Sequence, residues 1–342
     1  MKRHFFNYLA ITAIVVSAFT SCKKDDKPKL ILGSEIVEFS SIPTDAETVN
    51  IQSNTEWSVA IEQTDDWLSV TPMSGNGDGT LVITAQDNDD FEEQRSATIT
   101  ITGEGVQEKT IAVTQKFAVI LLETYSHQKH NANSTYAVYE YDAQHRITKR
   151  SVYYYPEILY YTETITYNAD GILFESTSGI TTTTFTQNTN KISINDGGNT
   201  SVEMELNAQG LPEKLTIVRS ISIYTSWYEG TYTFTWENGN LTQQDRKYYR
   251  AEDGKEYDDI ETATYTYDNK KSPFYYCTTP KWFLMYWRGI DYCNENNLET
   301  EQYSWNPTHT YTCENTYNAD GFLAIRTGDR TVISEAYDYM KR

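Results

Sequence analysis

Between Glu35 and Gln115 apolar residues recur at every second position in short runs separated by polar turns. Trp57, Val59 and Ile61 share one face of a run; Ala97, Ile99 and Ile101 share one face of another, with Thr98, Thr100 and Thr102 opposite. Period two with β-branched residues predicts strands. They fall at Glu35–Phe39, Thr48–Ile51, Glu56–Ile61, Trp67–Thr71, Thr80–Ala85, Ala97–Thr102 and Thr110–Thr114. Regular spacing of such strands predicts a β-sandwich over residues 34–116. It holds no cysteine, so its core must rest on Trp57, Trp67 and the aliphatic residues, and the alternation points both tryptophans inward.

Beyond Lys116 the pattern changes. Tyr and Thr become dense, and T-Y-N-A-D-G occurs twice, at Thr166 to Gly171 and Thr316 to Gly321. Looser copies are Tyr139 to Ile147, Glu205 to Leu211 and Thr235 to Leu241. Each sets an apolar or aromatic residue before a short Asn/Asp/Gly segment and resumes with an apolar residue, the reading of a hairpin turn. The intervening segments, among them Ser151–Tyr155, Tyr160–Tyr167, Lys191–Ile194, Val202–Leu206, Thr231–Trp236 and Thr262–Tyr267, have strand character. Residues 117–342 are therefore expected to form a large antiparallel β-meander of hairpin repeats. The fold class is all-β, and the pattern leaves open whether the sheet closes on itself.

One segment breaks the alternation. Lys281 to Arg288, K-W-F-L-M-Y-W-R, has neither period two nor a polar face. It reads as a short helix or loop that plugs one end of the sheet, or else as an exposed aromatic platform, and Trp282, Tyr286 and Trp287 are the candidate ligand-binding residues. Tyr153-Tyr154-Tyr155, Tyr160-Tyr161 and Tyr248-Tyr249 must each send one ring to either side of a strand.

The first residues are of another kind. Met1-Lys2-Arg3-His4 is basic, Phe5 to Phe19 is mostly apolar, and small residues lead into Cys22. This is the pattern of an export signal over residues 1–22, too short for a comfortable membrane span of about 20 residues. The residues before Cys22 resemble the lipobox of bacterial lipoproteins, which implies lipidation of Cys22. Lys23-Lys24-Asp25-Asp26 is similar to the acidic tag that sends Bacteroidetes lipoproteins to the outer face of the outer membrane. Residues 23–33 would be a tether, and the membrane partner would be reached through the lipid anchor only. The expected location is the outer membrane, lipid-anchored and exposed at the cell surface. The remaining cysteines, Cys277, Cys293 and Cys313, allow at most one intrachain bridge, and their spacing does not choose the pair.

Net charge is −20, from 28 basic and 48 acidic residues. Such a surface repels phosphate backbones and anionic leaflets, so nucleic acid is not an expected partner. The usual catalytic signatures are missing: no G-x-S-x-G, H-E-x-x-H, P-loop or dinucleotide fingerprint occurs. His127 and His130 lack a nearby ligand set, Asp87 to Asp90 lacks calcium-loop spacing, and Asp258, Asp259 and Glu261 read as an acidic loop. No catalytic residue, metal site or cofactor is expected, and the chain is read as non-enzymatic.

Trp57, W-L-S-V-T-P-M-S-G (Trp67 to Gly75), Arg95 leading into A-T-I-T-I, and I-A-V-T-Q (Ile111 to Gln115) together resemble a BACON domain, an Ig-like β-sandwich of Bacteroidetes surface proteins. The resemblance implies carbohydrate binding or a spacer role. Tyr139-x-Tyr141-Asp142-x-x-x-Arg146-Ile147 resembles the YD repeat of Rhs-type proteins, with His145 where those have Gly. Tyr265 to Phe274, Asn296-Asn297 and Thr316 to Leu323 resemble an uncharacterised C-terminal domain of Bacteroidetes lipoproteins. The expected function is a non-catalytic surface lipoprotein that binds a glycan or mediates adhesion. The alternative is a structural or assembly component whose partner is another envelope protein.

Overall fold

The computed structural model describes residues 27–342 except 65, 129–134, 156, 170, 177–180, 198–199, 222–225, 251–255 and 330–333. The signal segment and Cys22 lie outside the described residues. The chain divides into two compact units, residues 1–88 with 94–116, and residues 89–93 with 117–342. Apart from one α-helix and one 3₁₀ turn, the regular elements of the described residues are all strands.

The first unit is a sandwich of two sheets. One runs Leu30–Leu32, Glu47–Ser53, Gly79–Ala85, Leu68–Thr71; the other runs Ile36–Phe39, Lys109–Gln115, Arg95–Gly103, Glu56–Gln63, Ser74–Asn76. Leu30–Leu32, assigned to the tether by pattern, is a paired edge strand. Val49, Ile51, Leu81 and Ile83 from one sheet meet Ile99, Ile101, Ile111 and Val113 from the other in a single core. Trp57 and Trp67 are buried within it, as the alternation requires.

The second unit is a closed barrel. From Ile120–Gln128 onward each strand except Thr310–Thr312 pairs antiparallel with the next in sequence, and the last, Ser334–Lys341, pairs antiparallel with the first. Antiparallel closure of a meander demands an even number of staves, yet seventeen strands are assigned. The resolution lies at Cys313. Thr310–Thr312 pairs with the strand before it and Glu314–Tyr317 with the strand after it. These two are halves of one stave broken at Cys313, whose N–H still reaches the Glu299 carbonyl at 2.8 Å.

The repeated turns explain how the staves are joined. In Asp142–Arg146, Asn207–Leu211 and Asn318–Phe322 the side-chain oxygen of the first residue accepts backbone N–H groups two and four residues on, at 2.9 to 3.1 Å. The fourth residue of each has positive φ: His145 at 63°, Gly210 at 74°, Gly321 at 82°. This is an Asx turn with a left-handed residue, and it is preceded each time by a register shift in the entering strand. Because strand direction alternates, these turns share one end of the barrel with Asn238-Gly239. The long connection between Glu256–Lys271 and Asn296–Tyr303 lies at the same end.

The identical hexapeptides do not fold identically. At Thr166 to Gly171 the register runs Tyr167↔Ile172 and Asn168↔Gly171 without a shift. At the second copy Tyr317 pairs with Leu323, one residue further along. Gly171 also serves another purpose than the turn: a Cβ there would lie 1.9 Å from the carbonyl oxygen of Phe185 on the next strand, whereas one on Gly321 would meet nothing within 4 Å.

Candidate functional site in the barrel interior

The two faces of the barrel wall differ in chemistry. Ile165, Phe185, Ile192, Ile194, Met204, Phe234 and Tyr265 point inward and are buried. The residues between them, including Thr164, Thr166, Thr182, Thr184, Thr186, Ser193, Glu203, Thr233, Thr235, Thr264 and Thr266, point outward and are exposed. A barrel embedded in lipid carries an apolar band outside and a polar lumen. Along these strands the wall is the reverse, with an apolar inner face and an outer face of hydroxyls and carboxylates.

The long connection fills one end of the interior. Pro280 precedes and Gly289, at φ 93°, follows a helix spanning Lys281–Arg288. Proline before and glycine after are ordinary helix boundaries. Phe283 is fully buried, with ring centroids 5.2 Å from Phe185, 5.6 Å from Trp287 and 6.1 Å from Phe174. Hydrogen bonds lace the connection to the turns. The Thr279 hydroxyl accepts from the Ile147 N–H at 2.8 Å, Thr278 N–H donates to the His145 carbonyl at 3.1 Å, and the Asn294 side chain accepts from Leu241 N–H at 2.7 Å. The helix is a plug held by the turn residues.

Beside the plug the inner face becomes polar. Arg150 is 4% exposed, yet its Nη1 donates to Glu163 at 2.8 Å and to the Tyr161 hydroxyl at 3.2 Å. Burial works against its charge, but the Glu163 carboxylate and the hydrogen bond to Tyr161 outweigh that and hold its pKa above the ordinary arginine value. Arg288, the last residue of the helix, lies with its guanidinium carbon 5.3 Å from the Tyr292 ring centre. Further round, Arg326 sits 3.7 Å from Asp291 and 3.9 Å from Glu335, and Glu335 accepts from the hydroxyls of Tyr125 and Tyr337, each at 2.8 Å. Burial pushes the Tyr125, Tyr139 and Tyr337 pKa values well up, so these phenols stay neutral donors. Glu261 points inward with buried Ala263, by strand alternation, yet it is exposed. Solvent therefore reaches the interior at its level.

Of the sequence candidates, Trp282 is buried with its ring 5.7 Å from Phe185 and 6.0 Å from Phe283, so it forms part of the plug rather than a platform. Trp287 is half-buried and stacked on Phe283. Tyr286 is 38% exposed and rests on Phe185. Among the described residues Cys277, Cys293 and Cys313 form no disulfide with one another. No group of metal-ligating side chains occurs among the described residues. His130, Asp258 and Asp259 are outside what can be described in side-chain detail, as are Tyr248 and Tyr249. In the first unit Trp57 donates its indole N–H to the Gly77 carbonyl at 2.8 Å, and Gly75 and Gly79 close over its ring. Trp67 lies under Arg95. Neither offers a free ring face.

Arg150, Glu163 and Arg288 were not singled out from the sequence. The signal that could have found the first two is phase. Arg150 alternates in step with Val152, and Glu163 with Ile165, so each charge occupies an inward position of its strand.

Residues 55–116 match the family model of the BACON domain, described as "Putative binding domain, N-terminal". No curated protein matches the chain. Among solved structures, a GH5 xyloglucanase of Bacteroides ovatus in complex with a XXXG heptasaccharide is similar at 23% identity over 26% of this chain, with a TM-score of 0.24. The chain spans 19% of that enzyme's length. A porin-like protein from Bacteroides uniformis is similar at 14% identity and a TM-score of 0.42, over 64% of this chain and 95% of its own.

Proposed function

We propose that this chain is a non-catalytic lipoprotein of the outer cell surface that captures a carbohydrate inside its second unit. The observation that carries the reading is the composition of the inner wall. Tyr161, Tyr232 and Tyr292 combine apolar ring faces with hydroxyl edges, and they stand beside the side chains of Arg150, Arg246, Arg288 and Glu163. Rings that stack on the faces of a sugar, with fixed donors and acceptors for its hydroxyls, are what a pyranose site needs. The family description of residues 55–116 as a putative binding domain agrees with a binding role, and the burial of Trp57 and Trp67 favours a supporting part for that unit.

The test is retention of residues 27–342 on immobilised glycans, followed by calorimetry with any hit. Tyr161→Ala and Tyr292→Ala should each weaken binding at least tenfold. Binding that survives both, or that resides in residues 27–116 alone, would refute an interior site. Co-purification of a stoichiometric envelope protein that docks on the exposed hairpin residues Tyr155, Ile158, Leu159 and Tyr160 would favour the assembly role instead.

A further inference from the structure

Beside the plug several buried hydrogen-bond donors lack an acceptor. The Arg150 guanidinium lies 5.9 Å from the Tyr139 ring and that of Arg288 5.3 Å from the Tyr292 ring, and these two rings flank Phe274 at 5.6 and 5.0 Å. Glu163 is bonded to Arg150. Arg288 has no carboxylate within 4.0 Å among the described residues. The buried Nε atoms of both arginines, and the indole nitrogen of Trp287 next in sequence to Arg288, have no hydrogen-bond acceptor. A buried donor without an acceptor costs about 1–3 kcal/mol, and half-buried Arg288 has no counter-charge beside it to offset the water it has lost. A fold does not gather such groups against one wall unless something else satisfies them.

We infer that Arg150 and Arg288 receive a carboxylate, so that the captured saccharide is an acidic one, a uronate or sialate. The inference rests on the interior-binding reading above and narrows it. A planar carboxylate matches the fork of a guanidinium and accepts two N–H groups at once. The surrounding phenols leave the sugar ring apolar faces to lie against. Glu163 holds Arg150 in place while supplying less charge than the two arginines carry. The surface at net −20 would slow the arrival of acidic polymers, so recognition must come from the interior site alone.

The experiment is ligand-observed NMR and calorimetry on residues 27–342 with galacturonate, glucuronate and N-acetylneuraminate. Galactose, glucose and N-acetylgalactosamine serve as neutral counterparts, and acetate as a bare carboxylate. At least one acidic sugar should bind tenfold or more tightly than its neutral counterpart and than acetate. Arg288→Gln should abolish that preference, whereas Glu163→Gln, which frees Arg150, should strengthen it. Far-ultraviolet circular dichroism confirms that each variant folds. The opposite directions expected of the two variants separate a lost contact from a damaged barrel. Equal binding of neutral and acidic sugars would overturn the carboxylate site while leaving the carbohydrate reading intact. Acetate binding as tightly as the sugars would show an anion site without saccharide recognition and also overturn it. Binding of none would overturn both.

Discussion

Replacing Gly171 and Gly321 with Ala, one at a time, makes the same change in two copies of one hexapeptide and should give unequal results. At Gly321 the new methyl has open space, with nothing within 4 Å, and only the φ of 82° opposes it. A left-handed Ala costs about 1–2 kcal/mol, partly offset by about 0.4–1 kcal/mol from a stiffer unfolded chain. The net loss is about 1 kcal/mol. At Gly171 the methyl would fall 1.9 Å from the Phe185 carbonyl oxygen, where carbon and oxygen normally approach to about 3.3 Å. The two strands must part by more than 1 Å, forfeiting ladder hydrogen bonds worth about 1 kcal/mol each and adding about 1–3 kcal/mol of overpacking strain. A loss of about 3–5 kcal/mol follows. Urea unfolding of residues 27–342, followed by near-ultraviolet circular dichroism, would show it as a midpoint roughly 1 M lower for Gly171→Ala, taking a slope of about 3 kcal/mol/M. If the two variants agree to within about 0.5 kcal/mol, the hexapeptide behaves alike in both places and the distinction drawn here between turn glycine and contact glycine is wrong.

Four further outcomes are expected. Phe283→Ala should cost the barrel about 3–5 kcal/mol in the same urea assay, while Thr184→Ala on the outer wall stays within about 0.5 kcal/mol; a small effect at Phe283 would mean the helix does not plug the core. Glu163→Gln should destabilise by about 3 kcal/mol or more by leaving Arg150 buried without its carboxylate, whereas the double change Arg150→Met with Glu163→Leu should recover most of the loss; no recovery would show that the pair itself is stabilising. Burial raises the Asp142 pKa, but hydrogen bonds from the Arg146 backbone and guanidinium and from Gln144 N–H outweigh it, and the carboxyl is held below its usual value. A folded pKa below the unfolded one means its contribution is complete above about pH 3.9 and fades as pH falls through the folded value, so the melting-temperature gap between wild type and Asp142→Asn should close below about pH 4; a gap constant from pH 6 to pH 2 contradicts this. Burial pushes the Cys277 thiol up to about 11, so at pH 8 iodoacetamide should label half-buried Cys313 in the native protein and reach Cys277 and Cys293 only on unfolding, as mass spectrometry of peptides would show.

The strands and the direction of their side chains were legible because period two survives in Glu56–Gln63, Arg95–Gly103 and Thr181–Asn188, where one face meets apolar neighbours and the other water. The turns were legible because Asn, Asp and Gly are chosen by local geometry. Closure was not. It depends on pairing between Ile120–Gln128 and Ser334–Lys341, more than 200 residues apart, and no local pattern encodes which distant edge a strand will meet. The plug was half legible. Its aromatic density marked Trp282 to Trp287, but in a segment apolar on every side only burial separates core from platform. The polar layer escaped notice because Arg150 and Glu163 sit on different strands and acquire their meaning from each other.

The seam where the barrel closes sets the order in which it can be completed. Ile120 pairs with Lys341, and the flanking residues Val119 and Arg342 exchange backbone hydrogen bonds at 2.8 Å in both directions. A growing chain that leads with its N-terminus makes the first stave early and its partner last. Throughout the interval the strand from Ile120 presents an unpaired edge, the form of β-structure most prone to join a neighbouring molecule. Contacts this distant in sequence also form slowly. The time between the first stave's emergence and the last is therefore the period in which this protein is most exposed to misassembly.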